Sequence, residues 1–189
     1  MNEMHLRFLA SPEWKAMLES DLLPWVCQVA DLGDDVLEIG PGPGLTTDLL
    51  RERAAKVTAV ELDDALAAGL AARLAGSNVD VVQADATATG LPSDRFSAAT
   101  CFSMLHHMPS AAIQDRLFAE VHRMLRRGGV FIGVDSIDSE GIRMGHVDDV
   151  FVPVDPATLP SRLEAVGFAE VRVEPGAYQF RFSARKRTG

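Results

Sequence analysis

Glycines at positions 40, 42 and 44 form a loop that follows directly on an apolar run. Glycine lets a bound ligand approach the backbone closely, and a glycine-rich turn between a strand and a helix is typical of nucleotide sites. The dinucleotide motif would need a third glycine at position 45, and the phosphate-binding P-loop would need a lysine there, but this chain has Leu45. Taken alone, the loop also fits a tight structural turn.

Three acidic residues stand near the ends of the predicted strands around this loop. Glu38 precedes the first glycine by two residues, Glu61 closes the second predicted strand, and Asp85 follows the third. The carboxyl ends of strands form the ligand-binding edge of an open α/β sheet. Glu61 is well placed for both hydroxyls of a ribose, and Asp85 could accept from an adenine amino group. The spacing therefore favours a ligand that contains ribose and adenine.

Two histidines, His106 and His107, follow the fourth predicted strand at the same edge. Imidazole titrates near neutral pH, which makes both residues candidates for a general base. The alternative is that they pack or bond locally and shape the substrate site. His146, beside Asp148 and Asp149, is either a second base or a solvent-facing loop residue.

Short apolar runs alternate with helical patterns, which predicts an α/β fold with a parallel sheet. The predicted strands are Val36–Gly40, Val57–Glu61, Val79–Gln83, Phe96–Phe102, Val130–Val134, Phe168–Val173 and Gln179–Ala184. The predicted helices are one or two before Asp31, then Leu45–Arg53, Asp63–Ala75, Ala111–Arg126 and Leu159–Val166. Because Pro175 and Gly176 link the last two strands closely, these strands should pair antiparallel.

Size and charge narrow the class of protein. A chain of 189 residues suits one domain, 1–189, with a core of its own. The net charge of −9 argues against a phosphate backbone as partner, although the last residues are basic. We expect no membrane span and no signal peptide, since apolar runs are short and the first residues are polar. Cys27 and Cys101 fit reduced thiols, so a cytoplasmic location is expected.

The segment 36–50, VLEIGPGPGLTTDLL, resembles the glycine motif of class I S-adenosylmethionine (SAM)-dependent methyltransferases. The resemblance runs from about Val36 to Val134, and the last two of the segments given next are similar to those of the type 11 branch of that family. The other segments that carry it are Glu61-Leu62-Asp63, Asp85, Leu105-His106-His107 and the run from Arg123 to Gly129. The family implies SAM as cofactor, with S-adenosylhomocysteine as product. It also implies a Rossmann-like, doubly wound sheet of seven strands in the order 3-2-1-4-5-7-6, with strand seven antiparallel.

The resemblance also implies roles by position. Gly40, Gly42 and Gly44 would wrap the methionine part of SAM, and Glu38 would hold its ammonium group. Glu61 would bind the ribose. The other expected cofactor contacts are Asp85 and Ala86 at the adenine, Cys101, Phe102 and Ser103 at the methionine half, and Pro41 and Leu62 in the same motifs.

Comparison with two other branches of the family indicates whether a metal and a nucleic-acid acceptor are expected. The metal-dependent catechol-type branch has an acidic ligand after strand four, where this chain has Cys101-Phe102-Ser103, so we expect no metal. The acidic residues of the following segment are then interpreted as solvated loop acids: Asp135, Asp138, Asp148 and Asp149. Ribosomal RNA adenine dimethylases share the glycine motif but carry an Asn-Leu-Pro-Tyr-like motif where this chain has Phe102 to Leu105. Together with the acidic charge, this favours a small-molecule acceptor and no nucleic acid.

The acceptor should contact two short segments, a helical cap at residues 1–32 and a substrate-side segment at 136–160. Neither segment carries a motif that identifies the acceptor or decides between oxygen, nitrogen and carbon as the methylated atom. Their shortness leaves room for a homodimer in which a second subunit completes the pocket. The alternative function is a module that binds SAM or a partner protein without turnover, and a nucleic-acid methyltransferase is the less favoured third.

Overall fold

The computed structural model describes residues 3–189, with side chains described from Leu6 onward. Met1 and Asn2 of the expected helical cap, and the side chain of His5, lie outside the described residues. The strands are Asp35–Ile39 (β1), Lys56–Glu61 (β2), Val79–Gln83 (β3), Phe96–Phe102 (β4), Leu125–Ser136 (β5), Phe168–Pro175 (β6) and Gln179–Lys186 (β7).

Helices connect the strands and precede the first of them. They are Glu3–Leu9 (α1), Pro12–Met17 (α2), Leu23–Val29 (α3), Leu45–Leu50 (α4), Asp64–Arg73 (α5), Ala111–Met124 (α6), Glu140–Gly145 (α7) and Leu159–Ala165 (α8). A π-helical turn, Leu18–Leu22, joins α2 to α3, and a 3-10 turn, Leu105–His107, follows β4. No helix within residues 3–189 is both long enough and apolar enough to pass through a bilayer.

All seven strands belong to one sheet in the order β3-β2-β1-β4-β5-β7-β6. Strands β1 to β5 all run in the same direction, so every pair of neighbours among them is parallel. Strand β7 is antiparallel to both β5 and β6. The strand order and the antiparallel β7 are confirmed. Because β1 to β5 run the same way, their carboxyl ends meet at one edge, and that edge carries the candidate site.

Alternate residues of the sheet face two hydrophobic cores. On one face, Phe131 of β5 packs in a buried cluster with Phe118 of α6. On the other face, Ile132 packs with Leu22 and Trp25 from the N-terminal helices. Strands covered on both faces are apolar along their whole length, which is why their sequences read as continuous hydrophobic runs.

The junction between α6 and β5 differs from the prediction. The predicted helix Ala111–Arg126 ends at Met124, and β5 begins at Leu125, well before the predicted start at residue 130. Leu125 already has extended backbone, pairs with Phe96 of β4, and accepts a hydrogen bond of 2.9 Å from Lys186 Nζ at its carbonyl. These contacts with distant strands end the helix before its own sequence signal, the glycine pair at 128 and 129.

Candidate functional site

The glycine loop has a backbone that only glycine adopts readily. Gly40, Gly42 and Gly44 have φ values of +67°, +53° and +86°, in the left-handed region. A Cβ on Gly44 would lie 2.3 Å from Leu70 Cδ1, and one on Gly40 would lie 2.6 Å from Met104 Cγ. A side chain at either position would therefore strain the backbone and collide with a neighbour.

Glu38 stands at the end of β1 with its carboxylate turned toward the first turn of α4. The side chain is 2% exposed, and its two oxygens accept hydrogen bonds from the hydroxyls of Thr46 and Thr47, the latter at 2.6 Å. Burial raises the pKa of Glu38 to about 7, and the two hydroxyls offset only part of that effect. Glu38 is thus poised to change charge when a cationic group comes near.

Glu61, at the end of β2, ties the glycine loop to the neighbouring strand. One carboxylate oxygen accepts from the N–H of Gly42 at 3.1 Å, and the other accepts from the N–H of Asp63 at 3.0 Å. A carboxylate has about four acceptor positions, so two remain for the hydroxyls of a ribose. Leu62, next to it, is 66% exposed at the sheet edge.

The loop after β3 carries the two residues expected near an adenine. Asp85 accepts hydrogen bonds from the N–H and the hydroxyl of Thr87, both at 2.8 Å, and Ala86 packs half-buried against the core. Farther along the loop, the N–H and hydroxyl of Thr89 bind the carboxylate of Glu120 on α6 at 3.0 and 2.8 Å. The loop is therefore held against α6 near the position where the adenine of the cofactor is expected.

The end of β4 presents one of its three expected contact residues to a cavity. Cys101 is fully buried in one core, where burial raises its pKa well above the ordinary thiol value, and Phe102 packs in the other core. Ser103 has a φ of +52° and lines a cavity at the sheet edge. Cys101 is thus a protonated, structural thiol, and any contact it makes with a cofactor must come from its backbone.

Asp135, near the end of β5, holds the ring of His106 with a buried carboxylate. Asp135 is fully buried, and its oxygens accept from Nδ1–H of His106 and from the N–H groups of Leu105 and Ser136, the last two at 2.7 Å. The interpretation of Asp135 as a solvated loop acid is therefore wrong. The residue ends a buried strand, and its hydrogen bonds to the 3-10 turn replace those of water.

His146 is also buried, so its interpretation as a solvent-facing loop residue is wrong. It caps the end of α7 with 8% exposure, and its Nδ1 donates to the carbonyl of Ile142 at 2.7 Å. Its ring centroid lies 4.9 Å from that of His106 and 5.1 Å from that of His107. Asp149 Oδ2 lies 3.8 Å from His107 Nδ1 and its side chain is only 7% exposed, so Asp149 is not a solvated acid either.

His106 and His146 border a cleft of about 430 Å³ between the N-terminal helices, the end of β4 and α7. Its apolar walls come from both segments expected to contact the acceptor, and its polar side chains include Ser103, His106, His146 and Gln179. The residues that form the apolar part are Phe8, Leu9, Trp14, Met17, Ile142 and Tyr178. The cleft therefore combines an apolar lining with a few convergent polar groups, as small-molecule sites commonly do.

Gln114 of α6 is a positioning residue that no sequence pattern indicated. It is fully buried, and its Nε2 donates to the carbonyls of Leu105 and Val152 at 3.1 and 2.9 Å. Val152 in turn donates its N–H to the carbonyl of His106 at 2.7 Å. Asp135, by contrast, could have been found by the rule that located Glu61, because it also stands at the carboxyl end of a parallel strand.

Comparison with known proteins identifies the domain. The sequence model of the family described as "Methyltransferase domain" matches residues 37–133, just over half of the 189 residues. A probable ribosomal RNA small subunit methyltransferase A of Methanopyrus kandleri is 40% identical over 81 residues, which cover 41% of this chain and 29% of that protein. A ubiquinone biosynthesis O-methyltransferase of Pseudomonas entomophila is 30% identical over 110 residues, which cover 56% of this chain and 46% of that protein. The chain thus spans less than half the length of either relative.

A solved structure supports the same assignment of the fold. The SAM-dependent methyltransferase of Archaeoglobus fulgidus superposes with a TM-score of 0.77 at 17% identity, covering 98% of this chain and all of that one. The sheet order found here is the order that the class I family implies. Because the family match spans half of the chain and the topology agrees with it, the chain belongs to the methyltransferase domain family, of the class I type whose cofactor is SAM.

Proposed function

We propose that this protein is an enzyme that transfers the methyl group of SAM to a small, largely apolar acceptor. The observation that carries the proposal is the cleft of about 430 Å³, in which apolar walls surround Ser103, His106 and His146. Ser103 lies at the end of β4, where the methionine half of SAM is expected. The acceptor in the cleft would therefore lie beside the methyl donor.

The residues at the sheet edge fit SAM in shape and charge. SAM supplies a methyl carbon bound to a positively charged sulfur, which an electron pair of the acceptor can attack. Glu38 would hold the ammonium group, and Glu61 would accept from the ribose hydroxyls with the acceptor positions left after its bonds to the backbone. Asp85 and Ala86 would contact the adenine, and the backbone at Gly40 to Gly44 would wrap the methionine part.

The histidines would supply the general base that an acceptor with an acidic proton requires. As the oxygen, nitrogen or carbon of the acceptor bonds to the methyl carbon, the carbon–sulfur bond breaks and its electron pair stays on sulfur. The acceptor's proton must then leave, and His106 is placed to take it, since Asp135 holds its Nδ1–H and so presents Nε2 as the basic atom. The enclosed position of acceptor and donor would contribute most of the rate, because alignment of two reactants is worth up to about 7–11 kcal/mol.

Ribosomal RNA is the second candidate acceptor, because one relative of 40% identity is a probable ribosomal RNA methyltransferase. Charge and local sequence favour the small molecule. The chain carries a net charge of −9, whereas RNA binding rewards a basic surface. The residues after β4, Ser103 to Leu105, also lack the Asn-Leu-Pro-Tyr-like motif of the dimethylases.

Label transfer from methyl-labelled SAM separates these candidates. The protein would be incubated with a small-molecule extract of cells and, separately, with total RNA. We expect label in the small-molecule fraction and none in RNA above a blank without protein. Label in RNA would overturn the proposed acceptor class, and SAM binding without transfer to either fraction would favour a non-catalytic module.

A matched pair of histidine variants would test the site. His106→Gln should abolish most of the transfer while SAM binding persists, since the residue borders the acceptor cleft. His122→Gln, on the far part of α6 against Phe168, should leave transfer unchanged. Equal transfer by both variants would remove His106 from the mechanism.

A further inference from the structure

Three histidine side chains meet beside the acceptor cleft. His106 and His107 lie on the 3-10 turn after β4, and His146 lies at the end of α7. One ring nitrogen of each residue lies within 4.8 Å of the others. Nitrogens around a tetrahedral ion with bonds of about 2.0–2.1 Å lie somewhat closer together than this, so small ring rotations would close the group around one cation.

Hydrogen bonds already orient two of the three rings for coordination. Nδ1–H of His106 donates to the carboxylate of Asp135, and Nδ1–H of His146 donates to the carbonyl of Ile142 at 2.7 Å. In this tautomer the lone pair of each ring is on Nε2. Metal-binding histidines characteristically have the opposite ring nitrogen fixed by a carboxylate or a backbone carbonyl, and both kinds of partner are present here.

The carboxylates next to the three rings also favour a bound cation. The three ring centroids are 4.2 to 5.1 Å apart. Asp135 is fully buried against His106, and Asp149 Oδ2 lies 3.8 Å from His107 Nδ1. Two carboxylates this close to the rings would attract a cation bound between the three ring nitrogens.

We propose that His106, His107 and His146 bind a divalent transition-metal ion of the zinc type. Nitrogen ligands select such ions, whereas magnesium and calcium prefer oxygen. Among the side chains described from Leu6 onward, these three residues form the ligand set, and a set of three leaves one position open, as in catalytic zinc sites. Because His106 and His146 line the acceptor cleft, that open position would face the acceptor. The expectation of no metal rested on the absence of an acidic residue after β4, whereas the ligands proposed here are nitrogens, one of them at the end of α7.

The catalytic part of this inference rests on the proposed function. An acceptor hydroxyl that binds the ion through its oxygen would release its proton to water more readily, because the cation stabilises the oxyanion. That oxygen then bonds to the methyl carbon, while the carbon–sulfur bond breaks with its electron pair on sulfur. With the ion bound, His106 would act as a ligand through Nε2, and its role as base would be limited to the metal-free protein.

Metal binding can be measured directly on the whole chain, purified without a polyhistidine tag. Calorimetric titration with zinc should give one ion per chain. Titration with cobalt should give the visible absorption bands of a four-coordinate site. His107→Gln and His146→Gln should each weaken binding at least about tenfold, the loss that removal of even an outer partner of a metal site causes. Asp135→Asn should weaken binding by about 10- to 100-fold as such a partner.

His122→Gln is the matched control, since His122 lies on α6 outside the cluster and should leave zinc affinity unchanged. Circular dichroism would confirm that each variant is folded. The wild-type cobalt spectrum tests the site even where a variant unfolds. Absence of saturable zinc and cobalt binding by the wild type would overturn the inference, as would unchanged affinity in both His107→Gln and His146→Gln.

SAM binding and methyl transfer, measured on the same samples, separate the two proposals. Zinc binding without SAM binding would overturn the proposed function and leave the metal site standing. SAM binding and transfer without metal binding would overturn the metal site alone. Full transfer by protein that has been stripped of metal with a chelator would overturn the catalytic role of the ion, and the binding site would stand.

Discussion

Glu38 combines a buried position with an expected role that needs a negative charge. It is 2% exposed at the end of β1, and burial raises its pKa to about 7. In the ligand-free protein near neutral pH, the side chain is therefore partly protonated. An ammonium group beside it would favour the ionised form, so SAM binding should expel a proton from Glu38.

The affinity for SAM should consequently depend on pH. Below about pH 7 the protonated Glu38 dominates and must ionise on binding, while the α-amino group of SAM, with an ordinary pKa of about 7.7–8.0, stays charged. We expect affinity to rise about tenfold per pH unit between about pH 5 and 6 and to level off above about pH 7. Calorimetry across this range would measure it.

Glu38→Gln is the control for this prediction, because it keeps the size of the side chain and removes its titration. The variant should bind SAM more weakly and with a flat profile over the same range. A flat profile for the wild type would contradict the role of Glu38 at the ammonium group.

At the residue scale, the sequence located strand-end acids but not the partners that fold around the histidines. Glu38, Glu61 and Asp85 could be recognised because each follows a clear apolar run. Asp135 also follows an apolar run, so the same rule marks its position, but its burial depends on Leu105 and His106, about thirty positions earlier in the chain. Local patterns contain no information on such distant contacts, which decide whether a polar residue is solvated or buried.

At the element scale, the strands could be predicted and the junction of α6 with β5 could not. The buried parallel strands are apolar throughout, so their sequences identify them. The end of α6 depends instead on strand pairing at Leu125 and on Lys186 from the last strand. The helix pattern in residues 111–126 continues past this point, because helical spacing reflects which residues are buried and not where pairing begins.

Gly133 lies in the middle of β5, where the neighbouring strands β4 and β7 leave no room for a side chain. A Cβ there would lie 2.2 Å from a ring carbon of Phe182 and 2.8 Å from the carbonyl oxygen of Cys101. Since backbone is involved, Gly133→Ala should lower the free energy of unfolding by about 1–3 kcal/mol. Urea denaturation monitored by circular dichroism would measure the change.

Gly69→Ala supplies the matched control, since Gly69 lies in α5 with nothing within 4 Å of the added carbon. Alanine in a helix interior should raise stability there by about 0.5–1 kcal/mol. Equal effects of the two substitutions would contradict the packing of β5 against β7.

Gln114 of α6 connects the helix to the segment that carries the histidines. Gln114→Leu would leave the buried carbonyls of Leu105 and Val152 without their donor, which should cost about 1–3 kcal/mol. Hydrogen exchange at the Val152 amide, which donates to His106, should become faster. Gln83→Leu removes a comparable but exposed bond to Leu62 and should change neither quantity, and equal changes would remove Gln114 from the support of the site.

At the scale of the whole molecule, the charge distribution agrees with a small-molecule acceptor. The basic residues near the end of the chain are largely engaged with acids of the same molecule. Arg181 pairs with Asp21, and Lys186 Nζ lies 2.7 Å from Asp94 Oδ1. Net charge was available from the sequence, but the pairing of these residues required the fold.

The homodimer expected from the sequence stays a prediction, and large exposed apolar side chains show where to test it. Tyr178 is 78% exposed, Met144 68% and Val147 64%. Burial of these side chains by a second copy should give a solution mass of twice 20.4 kDa in sedimentation. Tyr178→Glu should then give monomers and Leu62→Glu, which is exposed elsewhere, should not; a monomeric wild type would contradict the prediction.

The central claim is that SAM binds at the edge formed by the glycine loop and the ends of β1, β2 and β3. Calorimetric titration of the wild type and of Glu61→Gln with SAM tests it most directly. We expect one SAM per wild-type chain, and clearly weaker binding by Glu61→Gln, which loses one or more acceptor positions for the ribose hydroxyls. Absence of SAM binding by the folded wild type, or equal binding by the variant, would contradict the claim.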